Sequence, residues 1–88
     1  MEIARQVFDN SILPHIKQEQ LDGQEKLVMY LLNEYVNQIG NDPIRINIFS
    51  LVVNNNFRTH DDKDNLATLI VHSAGETANL LNIKLIEN

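Results

Sequence analysis

Three histidines, His15, His60 and His72, are the residues best suited to proton transfer or metal binding near neutral pH. No two of them are three or four residues apart, the spacing that sets two ligands on one helix face. The chain has no cysteine to complete a zinc set. His72 and Glu76 stand at i,i+4 and could meet on a helix, where such an exposed pair is worth a few tenths of a kcal/mol. The acids Asp61, Asp62 and Asp64 invite a calcium reading, which requires alternate oxygen ligands followed by a glycine and a distal glutamate. Counted from Asp62, the fifth position is Leu66 and the twelfth is Ser73, so the loop fails. The three glycines, Gly23, Gly40 and Gly75, are isolated and form no phosphate-binding loop. Ser11, Ser50 and Ser73 lack a glycine-framed elbow. No catalytic constellation, cofactor site or metal site is expected, and the chain is read as a non-enzyme.

One stretch touches on nucleic-acid recognition. Ile70 to Ala78, IVHSAGETA, resembles the turn of a helix-turn-helix, where a small residue and a glycine join two helices. It departs from that pattern at Glu76, where a hydrophobe usually follows the glycine. The second helix would offer Lys84 and no arginine to phosphate or guanine. The apolar spacing also runs through Gly75 without a break, which favours one continuous helix.

The elements that must position these residues are helical. Leu27, Val28, Leu31, Leu32, Tyr35, Val36 and Ile39 recur at threes and fours, which predicts a helix over 23 to 39. Asp22 and Glu25 are placed as its capping box, and Gly40 is placed to close it in the left-handed conformation. Upstream, Ile3, Ala4, Val7, Phe8, Ile12, Leu13 and Ile16 predict a helical region over 2 to 18. Pro14 removes a donor and clashes with the carbonyl of Asn10, so the region is expected to bend or break at 10 to 13. Gln18 to Gln20 would begin the connection to the next helix. Asp42-Pro43 opens a third helix, expected over 43 to 54. Its run of isoleucines also fits a strand, but its length and apolar character on nearly all sides favour a deeply buried helix ended by Asn54-Asn55-Asn56. Thr59 or Asp61 can cap a last helix over 61 to 82, with Ala67, Ile70, Val71, Ala74, Ala78, Leu81 and Leu85 as its stripe. The tail from Asn82 is either a final turn or an extended arm. Phe8, Tyr35 and Phe49 read as core, and Phe57 falls in a polar connection.

Length predicts a single helical domain over 1 to 88, an all-α bundle of about four helices. A net charge of −5, from twelve acids against seven bases, disfavours nucleic acid and anionic membrane as partners. No apolar stretch of about twenty residues predicts a membrane span. The N-terminal sequence lacks a signal-peptide core, and with the absence of cysteine this leads to an expected cytoplasmic location.

The expected function is therefore a non-enzymatic protein–protein interaction module, a small bacterial or phage regulator or inhibitor that binds a protein partner or a second copy of itself. The alternatives are a helix-turn-helix-like DNA-binding regulator using residues 66–84, and a small-molecule or nucleotide sensor in a helical dimer cleft. The apolar surface of the last two helices exceeds what so short a chain needs. Interface residues are accordingly expected at Met29, Tyr30, Leu66, Leu69, Ala74, Gly75, Ala78, Leu80 and Ile83, with Ala74, Gly75 and Ala78 as a small-residue patch open to close approach.

Overall fold

The computed structural model describes residues 2–86. Among them there is no strand, and the fold is an all-α bundle. The elements in order are α1 (Glu2–Val7), a π-helical segment (Phe8–Ile12), a 3-10 turn (Leu13–His15), α2 (Gln18–Leu21), α3 (Glu25–Ile39), α4 (Pro43–Thr59) and α5 (Leu66–Leu81). No helix among the described residues is long and apolar enough to cross a membrane.

The expected break near Pro14 takes a specific form. The Leu13 N–H reaches back five residues to the Phe8 carbonyl, so the helix widens into a π segment just before the proline. Widening moves the Asn10 carbonyl away from the pyrrolidine ring, which an ordinary α-helical turn would force against it. Pro14 then sits inside a 3-10 turn, and Ile16 is extended at φ −120° and ψ 159°. The segment stays helical because it buries Phe8 and Ile12, at 2% and 0% exposure, against α4.

The 18 to 20 connection is itself a helical turn, α2, and this displaces the capping box expected at Asp22 and Glu25. Asp22 instead closes α2, accepting from Gln18 Nε2 at 3.0 Å while its own N–H donates to the Gln18 carbonyl at 3.0 Å. Gly23, at φ +78°, turns the chain, and α3 begins at Glu25 with no side-chain cap. Val28, Leu32, Val36 and Ile39 form the buried line of α3. Leu27, expected on that face, lies at its edge and is 48% exposed. Gly40 closes α3 with a positive φ of 103°, but its ψ of 140° is extended and not left-handed helical. The Ile39 carbonyl left at the helix end is taken up by Arg45 Nη1 at 2.9 Å.

Residues 44 to 53 are helical, as favoured over a strand. Asp42 caps α4, accepting from the Ile44 and Arg45 amides at 2.8 and 3.4 Å, with Pro43 in the first turn. Asp42→Ala is expected to lower stability by about 1 kcal/mol, which for a domain this small lowers Tm by roughly 4–8 °C. A thermal melt that does not move would show that the cap carries no net stabilisation.

Two expectations about α4 are corrected. First, it does not stop at Asn54-Asn55-Asn56 but runs to Thr59. Each asparagine costs up to about 0.7 kcal/mol in helix propensity. Extending the helix buries Phe57, worth roughly 1.5–3 kcal/mol, and completes the line Phe49, Val53, Phe57, each at 0% exposure. Phe57 is therefore core, not part of a polar connection. Second, α4 is not buried on all sides. Its opposite face is open, with Ile44 at 72% and Leu51 at 62% exposure.

The last helix begins at Leu66 rather than 61. Asn65 is its cap, accepting from the Thr68 amide at 3.2 Å. The acids that were expected in its first turn form a separate turn instead, with Asp61 Oδ1 accepting from the Lys63 amide at 2.8 Å and Asp64 Oδ2 from the Asp61 amide at 2.9 Å. Helix α5 continues through Gly75 and packs against both α3 and α4, with Leu66, Ile70, Ser73, Ala74, Thr77 and Ala78 buried. It ends on Asn82 in the left-handed conformation, where the Ile83 amide donates to the Ala78 carbonyl at 2.9 Å. Residues 83–86 form an arm without regular structure and not a further helical turn, and the last two residues of the tail lie outside the described residues. The arm is pinned by the Ile86 amide donating to Gln38 Oε1 at 2.8 Å, with Ile83 and Leu85 packed on the core.

Candidate functional site

The three histidines are held apart on different elements. His60 Nδ1 meets the Phe57 carbonyl. A carbonyl only accepts, so Nδ1 is the donor in that contact, and Nε2 lies 3.3 Å from Gln20 Nε2. Gln20 also holds the Lys17 amide through Oε1 at 2.7 Å and reaches the Asp62 carbonyl at 3.4 Å. His60 thus ties the 17–22 turn to the 60–64 turn. His15 Nε2 is buried and makes no hydrogen bond. His72 lies 3.5 Å from Glu76, the i,i+4 pair expected from the sequence, with side chains 64% and 45% exposed.

Ser73 is directed to structure as well. Its Oγ donates to the Leu69 carbonyl at 2.7 Å and accepts from Asn56 Nδ2 at 2.8 Å. The same Asn56 amide donates to Glu76 Oε1 at 2.6 Å. The result is a polar clasp between α4 and α5 in which no hydroxyl proton faces a histidine. Among the described residues, no group of three or more His, Cys, Asp or Glu side chains is placed to hold a metal ion. Residues 66–84 are one helix and an arm, so the stretch that resembles a helix-turn-helix contains no turn at Gly75.

The nominated interface residues separate into three groups. Leu66, Ala74 and Ala78 are buried at 1%, 0% and 5% exposure and are closed to any partner in this fold. Met29, Leu69 and Ile83 are half-buried against the core, and Met29 Sδ also accepts from Arg5 Nη1 at 3.7 Å. Tyr30 and Leu80 are exposed at 59% and 68%, and Gly75 is half-buried.

Tyr30 and Gly75 border one groove. Between α3 and α5, Tyr30, Glu34 and Gln38 face Val71 and Gly75, with Leu85 and Ile86 of the arm at one side and an open volume of about 510 Å³. A second depression of about 650 Å³ lies across the arm and also reaches Gly75. Gly75 thus lines both depressions. A Cβ added there would touch nothing within 4 Å. The small-residue patch is therefore divided: Ala74 and Ala78 serve internal packing, whereas Gly75 faces empty space. Val71, 47% exposed, and Ile86, 73% exposed, belong to this groove and were not nominated. Val71 fits the apolar stripe by spacing alone, four residues after Ala67, yet the fold turns it outward. Leu80 stands apart, in a depression between α4 and α5 beside Leu51 and Val52.

No family model matches the chain, and neither the curated proteins nor the solved structures contain a match to it.

Proposed function

We propose that this chain is a non-catalytic protein–protein interaction module, a small regulator or inhibitor that binds a protein partner in the groove over Gly75. The observation that carries this reading is the glycine itself. A mid-helix glycine costs about 1 kcal/mol against alanine, and no atom of the chain needs the space that a side chain would fill. A partner main chain or small side chain seated there would need it. Exposed Tyr30, Val71 and Ile86 around Gly75 supply the apolar and aromatic contacts that anchor interfaces.

Two substitutions test this. Gly75→Ala is expected to raise stability by up to about 1 kcal/mol, read from urea denaturation. Gly75→Leu is expected to keep the helix content while filling part of the groove. Wild-type protein should retain a stoichiometric partner in affinity capture, and the leucine variant should lose it. A partner retained equally by Gly75→Leu, or no stoichiometric partner for the wild type, overturns the reading.

A further inference from the structure

The groove over Gly75 contains a carboxylate that the chain leaves without a cation. Among the described residues every acidic side chain is exposed except Glu34, which is half-buried. Exposed acids such as Asp9, Glu25 and Asp62 nevertheless pair with Arg5 or Lys17. Glu34 forms no ion pair among the described residues. Its hydrogen bond from Gln38 Nε2 is long, at 3.5 Å. Drawing a carboxylate even partly out of water without a cation costs free energy. The least hydrated of these acids is thus also one of the least compensated.

The neighbours of Glu34 define what would compensate it. Tyr30, one helical turn before it, and Tyr35, the next residue, line the same groove. Neither tyrosine hydroxyl makes a hydrogen bond among the described residues. Gln38 is already engaged, its Oε1 accepting from the Ile86 amide at 2.8 Å while its Nε2 faces Glu34. That double hold fixes the carboxylate end of the wall. No lysine, arginine or histidine lines this groove, and Lys84 lies in the neighbouring depression. Elsewhere the chain shows how such a set is satisfied. The Arg5 guanidinium lies 5.1 Å from the Phe8 ring centroid, with Asp9 and Glu25 at 3.7 and 3.6 Å. The groove offers the same combination of aromatic ring and carboxylate, with no base of this chain beside it.

We infer that the groove takes an arginine side chain of the protein partner, with its guanidinium against Glu34 and a tyrosine ring and its stem along Gly75. The inference rests on the reading of the groove as the partner site and adds the charge that the partner must bring there. Arginine fits because its planar guanidinium stacks on aromatic faces, forks onto a carboxylate and is weakly hydrated. Its five N–H donors can also reach the unbonded tyrosine hydroxyls. The groove volume of about 510 Å³ admits the side chain, and Gly75 presents no Cβ to the stem. Aliphatic residues on either side of the arginine meet exposed Val71 and Ile86. The net charge of −5 draws a basic segment in and repels an acidic one.

The test titrates the isotope-labelled full chain with a blocked pentapeptide, glycine-leucine-arginine-leucine-glycine, and follows backbone amide signals. The same peptide with citrulline in place of arginine keeps the shape and removes the charge. The arginine peptide should shift amides of residues 30–38 and 71–86 and saturate at millimolar concentration, and the citrulline peptide should bind at least tenfold more weakly. Glu34→Gln should weaken the arginine peptide at least tenfold, to the citrulline level. Glu19→Gln, which removes an exposed acid elsewhere, should change it less than twofold. Gly75→Leu should weaken both peptides. Equal binding of the two peptides, or equal effects of Glu34→Gln and Glu19→Gln, overturns the inference. If Gly75→Leu still blocks the peptides in that case, the groove remains a docking site and only its charge preference is lost. Free methylguanidinium binding as tightly as the peptide overturns the protein-borne source and assigns the site to a small cation. No shift at millimolar arginine peptide also overturns the inference, whereas partner capture with Gly75→Leu decides the groove itself.

Discussion

Phe57→Ala is expected to destabilise the chain by about 3–5 kcal/mol. Phe57 is wholly buried, its ring 5.8 Å from that of His60 and in line with Phe49 and Val53. Truncation removes the transfer free energy of the ring and leaves a void that the rigid helix pair fills only partly. A domain of this size holds roughly 4–13 kcal/mol in total, so the loss is a large share of what keeps it folded. The melting temperature should fall by roughly 12–40 °C. Leu51→Ala, six residues earlier on the same helix but pointing outward, should change stability by less than about 0.5 kcal/mol. A cost under 1 kcal/mol for Phe57→Ala, or equal costs at the two sites, would show that α4 is turned the other way.

The second large effect is at Ala74. It is fully buried at the centre of α5, where that helix packs against α3 and α4. Ala74→Leu must add three carbons to closed space, which costs about 1–3 kcal/mol and displaces α3 or α4. Gly75→Ala, at the adjoining residue, should stabilise. Adjacent substitutions of opposite sign test the division of the small-residue patch into a packed half and an open half. Urea midpoints that shift in the same direction at both positions would contradict it. The mechanism is steric, so Ala74→Ser should be tolerated far better than Ala74→Leu.

Much of the helical layout was legible in the sequence. The three-and-four spacing of α3 carries it alone, since Val28, Leu32, Val36 and Ile39 are all buried. Asp42-Pro43 marked the start of α4 because an acidic cap and a proline in the first turn are local chemistry, satisfied within four residues. Helix ends were less legible. Asn54 to Asn56 have the intrinsic preferences of a terminator, and only the burial of Phe57 against other helices carries the chain through them. Asp22 had two helix ends within reach, and the capping box lost to a turn stabilised by Gln18 and Gln20.

The candidate surfaces were legible only as a surplus. Both apolar lines of α4 are visible in its residues. Spacing shows that each line shares a face, but nothing in the helix says which face turns inward. That choice is made by Phe8 and Ile12 of the π segment and by the small residues of α5, which form a surface that the phenylalanine line fits. The isoleucine and leucine line is what remains outside. Gly75 follows the same logic. The sequence by itself determined the composition, the helical periods, the caps made within a few residues and the lack of clustered chemistry. Only the tertiary structure decided that Ala74 and Ala78 are closed while Gly75 lies open, because burial depends on which distant helix arrives. That is set by the packing of the whole bundle, not by any one stretch of it.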